Sequence, residues 1–342
     1  MNRIIAAAGL LMTVWLVSLS GSPAATLHRY EAVEPHMGTL VKITVYTPGE
    51  EGARQAFRAG FDRIRALDAI LSDYKSDSEL NRLTSVAVRT AAPVGRDLFA
   101  VLSAAQEIAV GTDGAFDITK GPVTRLWRVA RRTREVPAQA ALSEANRRTG
   151  YRKLRLDPAR RTATLDQAGM ALDLGGIAKG YAASEALAAI TRARVRSAMV
   201  AISGDLAFSD APPGTPGWRI ELHDVTGEAA GVPAIIELTS AALSTAGPAE
   251  QHLAANGHRY SHILDPVTGL GLTDDLTVTV VASHGLIADG LDTAISVLGV
   301  ERGLALIEAR TDAAALIVRR NAAGATVLPS SRFERFVSGR HR

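Results

Sequence analysis

The chain has 342 residues, 47% of them hydrophobic and 21% charged, which allows one large or two modest domains with a substantial core and excludes a mostly disordered or collagen-like polymer. Cysteine is absent, so disulfides, thiolate metal ligation and a cysteine nucleophile are excluded, while oxygen and imidazole ligands remain. The formal charge of +3 is mild, and no Lys/Arg block of the kind that grips nucleic acid stands out, so no nucleic-acid partner is expected. Only five of the 38 basic residues are lysines (Lys42, Lys75, Lys120, Lys153 and Lys179), so a lysine inside a motif is informative.

Met1-Asn2-Arg3, the apolar run Ile4 to Leu19 and the small residues Ser22-Pro23-Ala24 make residues 1–24 a secretory signal peptide, with cleavage expected after Ala24 or Ala25. The competing reading is an uncleaved anchor. The mature chain is expected to be periplasmic or otherwise extracytoplasmic, without stable membrane insertion, and not a lipoprotein, since no cysteine could carry the lipid. No linker or repeat divides the rest, so residues 27–330 read as one unit and 331–342 as a C-terminal tail.

In chain order, strands are expected at Thr39–Tyr46, Arg152–Leu156, Thr162–Leu165, Ala198–Ser203, Trp218–Leu222, Ala234–Leu238 and Leu276–Val281. Helices are expected at Glu51–Leu71, Asp97–Val110 with Gly111 as its cap, Ile177–Thr191, Leu286–Leu298 and, beyond Gly299, Val300–Ala309. The turns Asp157-Pro158 and Asn256-Gly257 point to antiparallel hairpins. The fold class is therefore α+β, with mixed or antiparallel sheets covered by helices in two closely packed subdomains.

Four segments carry possible chemistry. In Asp173-Leu174-Gly175-Gly176-Ile177-Ala178-Lys179-Gly180-Tyr181 the chain turns on two glycines into a helix, whose unpaired N–H groups favour an anion such as phosphate. Lys179 opposes the helix dipole there unless a polyanion is bound, and a plain turn with a solvated lysine is the alternative. Asp289 and Thr293 stand one helical turn apart and offer two oxygens, half of a hard-cation site, or else an Asp helping a helix dipole and a Thr bonded back to a carbonyl. In a strand from His258, the side chains of His258, Tyr260, His262 and Leu264 share a face, and Asp265 to Gly269 makes a turn. His262 beside Asp265 is then an oriented base, a phosphate contact or a histidine satisfied by its neighbours. Gly114-Ala115-Phe116-Asp117-Ile118-Thr119 is a small-residue turn with an acid, suited to a heterocycle or simply a polar loop. Tyr74 could stack on a ring or pack at an interface. The run Arg125, Arg128, Arg131, Arg132, Arg134 reads as a solvated face, with docking of an acidic partner as the alternative.

Taken together and in order, Met37-Gly38-Thr39, Ser72-Asp73-Tyr74 with Ser78-Glu79-Leu80, Gly114 to Asp117, Gly121-Pro122 with Leu126-Trp127, Asp173 to Tyr181, Ser203-Gly204-Asp205, His262 to Gly269 and Asp289 to Thr293 resemble the FAD:protein FMN transferase family, the ApbE-like flavin transferases. The resemblance spans Met37 to about Gly299. It implies an enzyme that binds FAD as substrate, cleaves its pyrophosphate with Mg²⁺ and moves FMN onto a Thr or Ser hydroxyl of an acceptor flavoprotein, releasing AMP. It assigns Met37, Tyr74, Ala115, Phe116, Asp117, Asp173, Lys179 and His262 to FAD, and Asp289, Thr293 and the Gly176 carbonyl to the metal. His262, Lys179 and Asp289 are the expected catalytic residues, with Asp265 or Asp289 as rivals of His262 for the general base. The chain departs from the family at Ile118, where proline is common, at Ser203, where glycine is usual, and at Ser244 to Glu250, where a more polar loop is usual. A FAD pyrophosphatase, a secreted flavin-binding protein without turnover and a structural protein are the competing functions.

Overall fold

A computed structural model describes residues 26–222, 235–247, 252–321 and 324–336. The expected signal peptide, the Pro248–Glu250 stretch and residues 337–342 lie outside the described residues.

The elements begin with a hairpin, β1 (His28–His36) and β2 (Thr39–Thr47), whose turn puts Met37 and Gly38 at φ 51° and 75°. Helix α1 (Glu50–Leu71) follows, with Glu50 and Glu51 offsetting the dipole at its start and Phe61, Ile64 and Leu67 facing inward. After α2 (Glu79–Val86) and β3 (Ala92–Pro93) come α3 (Arg96–Gly111), α4 (Gly121–Thr133) and α5 (Gln139–Arg147). The expected hairpin across Asp157-Pro158 is formed by β4 (Leu154–Asp157) and β5 (Thr162–Leu165), with β3 completing a three-stranded sheet. Then come α6 (Ala178–Arg192), β6 (Ser197–Ile202), β7 (Asp205–Phe208), the pair β8 (Trp218–Glu221) and β9 (Ile235–Leu238), and β10 (Ala241–Ala246). A second hairpin, β11 (His252–Ala255) and β12 (His258–Ser261), turns on Asn256 and Gly257 at φ 52° and 75°, the left-handed pair such a turn demands. The chain closes with β13 (Asp275–Ala282), α7 (Gly285–Glu308), β14 (Ala313–Asn321) and β15 (Gly324–Pro329).

The central sheet has eight strands in the order β1-β2-β6-β7-β10-β13-β14-β15, every neighbouring pair antiparallel. The α+β class with antiparallel sheets under helices is thus the observed one. On one face, Val41, Ile43 and Val45 of β2 and Ala198, Val200 and Ile202 of β6 pack under α1, α3 and α6, while Val278 and Val280 of β13 pack under Leu291 and Ile295 of α7. On the other face, Leu243, Val281, Leu316 and Val318 are covered by Trp218, Ile236 and Phe333. A smaller core joins Val123 and Trp127 of α4 to Leu142 of α5, Leu253 of β11 and the segment around Leu264 and Leu270.

Several expectations are corrected. Gly111 is the last residue of α3 and not its cap; the chain turns at Thr112, and the left-handed residues are Asp113 and Gly114 at φ 48° and 82°. The strand from His258 stops at Ser261, so His262 and Leu264 do not continue its face. Phe333, placed in a tail by the sequence, is wholly buried, so the folded unit continues past residue 330. Gly299, at φ 75°, does break α7 where the two helices were expected to meet.

Candidate functional site

The site is built where α6 meets α7. A Cβ on Gly180 would fall 2.2 Å from the carbonyl oxygen of Gly285, and one on Gly285 would fall 2.1 Å from that of Gly180, so the two helices touch backbone to backbone. This approach brings Asp289 of α7, 3% exposed, to the start of α6, where its Oδ2 accepts the Gly180 N–H at 2.9 Å. The carboxylate of one helix thereby satisfies an orphan donor of the other.

Lys179, one residue earlier, points its Nζ at Asp205 Oδ2, 2.5 Å away at the head of β7. Burial would lower the lysine pKa, but Asp205, Asp289 and Asp292 outweigh burial and hold it above its ordinary value. The conflict between Lys179 and the helix dipole is therefore relieved by protein carboxylates before any anion arrives. Asp205 faces Ser244 across the β7–β10 register, and the Ser244 hydroxyl lies 2.7 Å from Asp205 Oδ1 and 2.6 Å from Asp292 Oδ2. A hydroxyl has one proton and cannot donate to both, so one carboxyl must bring its own. Asp292 is the one disposed to do so, because burial, then the charges of Asp289 and Asp205, push its pKa well up.

Thr293 is part of the same cluster, its hydroxyl donating to Asp292 Oδ1 at 3.2 Å and keeping its lone pairs. A Cβ on Gly176 would come 2.9 Å from Thr293 Oγ1 and 3.4 Å from the Phe116 ring, so only glycine lets the turn before α6 approach both. Phe116 is buried, and its loop is tied to the same turn by the Asp173 N–H, which donates to the Ile118 carbonyl at 2.8 Å. Asp173 Oδ1 in turn accepts the Gly175 N–H at 2.8 Å. Asp117 turns its Oδ1 to the backbone and hydroxyl of Thr119, at 2.8 and 2.7 Å, and burial raises its pKa against those two bonds. Asp173 also meets Arg128 of α4 at 3.2 Å. The same guanidinium pairs with Asp73 and lies 3.9 Å from the centre of the Tyr74 ring.

His262 sits on the bend after β12. Ser261 and Ile263 on either side of it line a small cavity with Ser296, which is one turn beyond Asp292 on α7. The loop that follows is anchored to α4, with Trp127 Nε1 donating to the Gly269 carbonyl at 2.7 Å and Lys120 Nζ to that of Pro266 at 2.7 Å. Asp265, the rival base, spends its Oδ1 on the Val267 and Thr268 N–H groups, both at 2.8 Å. Met37 lies at the β1–β2 turn and packs against the main core.

The structure thus links Tyr74, Ala115 to Asp117, Asp173, Gly176, Lys179, Asp289 and Thr293 through direct contacts or shared loops. Sequence reasoning missed Asp73, Arg128, Ser244 and Asp292. The spacing of Asp292 from Asp289 was an available signal, since residues three apart share a helix face as surely as residues four apart. Arg128 is no part of a solvated face, unlike the exposed Arg125, Arg132 and Arg134 of the same run. Among the described residues no three His, Cys, Asp or Glu side chains gather as a metal cage, and no helix is long and apolar enough to cross a membrane.

Residues 37–317 match the model of the ApbE family. A protein of Treponema pallidum named FAD:protein FMN transferase is 31% identical over 83% of this chain and 82% of its own, and one of Salmonella typhimurium with the same name is 28% identical over 88% and 87%. Among solved structures, the apo form of the flavinyl transferase ApbE from Pseudomonas stutzeri covers 91% of this chain and 97% of its own at a TM-score of 0.78 and 30% identity. The ApbE protein of Thermotoga maritima covers 91% and 99% at 0.79 and 28%. Matched by that family model over most of its length and by a relative 31% identical across 83% of it, the chain belongs to the ApbE family.

Proposed function

We propose that this chain is a FAD:protein FMN transferase that uses Mg²⁺, attaches FMN to a Thr or Ser hydroxyl of an acceptor flavoprotein and releases AMP. The observation that carries the reading is the junction of α6 and α7, where a glycine turn, the N-terminus of α6, a charged Lys179 and the oxygens of Asp289 and Thr293 lie together. A pyrophosphate needs these groups at one place. The names of the relatives support the transfer chemistry.

The donors suit magnesium. They are hard oxygens, one carboxylate, one hydroxyl and the Gly176 carbonyl, and such a set leaves positions for water and phosphate, as this ion prefers. Bound there, Mg²⁺ would offset phosphate charge and polarise the phosphorus. In the proposed reaction the acceptor oxygen bonds to the FMN phosphorus, the bond from that phosphorus to the bridging oxygen breaks, and AMP leaves with the bridging oxygen. The hydroxyl proton needs an acceptor, for which we propose His262. Lys179 would face the phosphates from the first turn of α6. Tyr74 and the Ala115–Asp117 loop would hold the rings, and Met37 would close the site. The reading as an extracytoplasmic protein rests on residues 1–24.

The test is to incubate the protein with FAD, Mg²⁺ and a candidate acceptor domain and to weigh the acceptor by mass spectrometry. An acceptor heavier by one FMN is the expected result. Free FMN and AMP with an unmodified acceptor would make the protein a pyrophosphatase, and retained FAD without AMP would make it a carrier.

A further inference from the structure

Tyr74 is 75% exposed, a position where an aromatic side chain ordinarily samples several rotamers. Here one face of its ring is covered by the Arg128 guanidinium, 3.9 Å from the ring centre. The guanidinium is itself fixed, because it pairs with Asp73 on the Tyr74 loop and with Asp173, 3.2 Å away, on the segment leading into the glycine turn. Its Nε is buried without a partner, so the head group is placed by those two carboxylates and the ring. We propose that Arg128 is a positioning residue for the dinucleotide site: it clamps the inner face of Tyr74 and the two flanking carboxylates, so that the outer face of the ring is presented to a planar ring of the ligand. The proposal rests on the reading that Tyr74 and Asp173 meet FAD.

The residue type matters. A planar guanidinium can stack on a ring and fork toward two carboxylates together, whereas an ammonium can pair with a carboxylate but cannot stack in the same way. The carboxylates also need it. Burial and then the neighbouring Asp173 push the Asp73 pKa up, against the guanidinium that favours ionisation. Arg128 therefore lets two acids stand beside one exposed ring. A tyrosine already ordered in the free protein loses less freedom when a ligand stacks on it, and this lowers the cost of binding without touching the reacting atoms.

Arg128→Lys tests this, because it keeps the charge and loses the stack. The expected result is a KM for FAD raised about threefold to tenfold with kcat changed less than about twofold, and a matching loss in the affinity for FAD titrated by quenching of flavin fluorescence. In a Tyr74→Ala background, Arg128→Lys should have no further effect, since lysine still pairs with the carboxylates and the ring it fails to stack on is gone. An unchanged KM in the single variant, or an effect that persists in full without Tyr74, would overturn the proposal. Arg128→Gln removes the charge as well and should be worse than lysine. If it fails to fold, the lysine variant and the double-mutant cycle still decide. Wild-type protein that quenches no flavin, or Tyr74→Ala with wild-type affinity, would overturn the FAD reading and the clamp with it. An ordinary FAD affinity with an indifferent Arg128→Lys would overturn the clamp alone.

Discussion

Gly180→Ala is the most revealing perturbation, because its effect on geometry can be read directly. The added methyl would lie 2.2 Å from the Gly285 carbonyl oxygen and 2.7 Å from the Asp289 Cβ, where ordinary contact begins at 3.4 Å. Neither neighbour is the end of a flexible side chain, so α6 and α7 must part by about 1 Å. Overpacking of this kind costs about 1–3 kcal/mol, a fall of a few degrees in Tm that leaves the protein folded. Function should suffer more. The same displacement pulls Asp289 from the Gly180 N–H and shifts Lys179 against the α7 oxygens, and about 1 Å of misplacement at a reacting centre costs about 10²-fold in rate. Gly290→Ala is the control. Its methyl would meet Ile108 Cδ1 at 2.4 Å, the far end of a side chain that can rotate away, so stability should fall without a change in the spacing of the helices. Calorimetry and FMN transfer to an acceptor, measured on both variants, give the comparison. Transfer at the wild-type rate by folded Gly180→Ala protein, or an equal loss in Gly290→Ala, would refute the claim that the backbone contact sets the site.

Asp289→Asn keeps an oxygen for the Gly180 N–H but removes the charge; transfer should fall about 10³-fold and Mg²⁺ affinity by calorimetric titration should weaken, while a chelator should silence the wild type. Lys179→Met should abolish transfer and also cost about 3 kcal/mol in stability by stranding Asp205, so Lys179→Met with Asp205→Asn should regain Tm but not activity. Asp292→Asn should reveal the buried proton. The folded chain keeps that proton, while the unfolded chain gives it up as pH rises past the ordinary carboxylate range, so wild-type stability declines from there up to the raised pKa. Asparagine can donate to Ser244 and accept from Thr293 without titrating. Its Tm should match the wild type near about pH 4 and exceed it at about pH 8, and an equal difference at both would show that Asp292 is ionised.

What the sequence revealed and what it hid follow from one physical distinction. The Gly175-Gly176 turn, Lys179 and the pair Asp289 and Thr293 were legible because their spacing along the chain already implies their placement: glycines break elements, and residues four apart on a helix share a face. β14 was hidden for the opposite reason. It opens with Ala313, Ala314 and Ala315, the best helix former in triplicate, and is a strand because β13 pairs with it along its length. The strand expected through His262 fails for a related cause, since the tie of residues 265–269 to Trp127 and Lys120 bends the chain away from the β12 direction.

The charges of the site obey the same distinction more strictly. Asp205 and Ser244 come from β7 and β10, and nothing in their local sequence separates them from solvated polar residues, while Asp292 of α7 is marked only by its spacing from Asp289. Only the β7–β10 register and the seating of α7 on the sheet set one hydroxyl between two buried carboxyls. Arg128 is concealed differently, as one arginine in a run whose other members include exposed ones, chosen by the facing of α4 toward Asp73 and Asp173. A ligand-facing residue can be recognised from its type and spacing because the ligand's chemistry restricts both. A residue that sets its neighbour's charge is restricted only by burial and by what packs beside it, and therefore the protonation of this site, unlike its oxygen donors, had to be read from the fold.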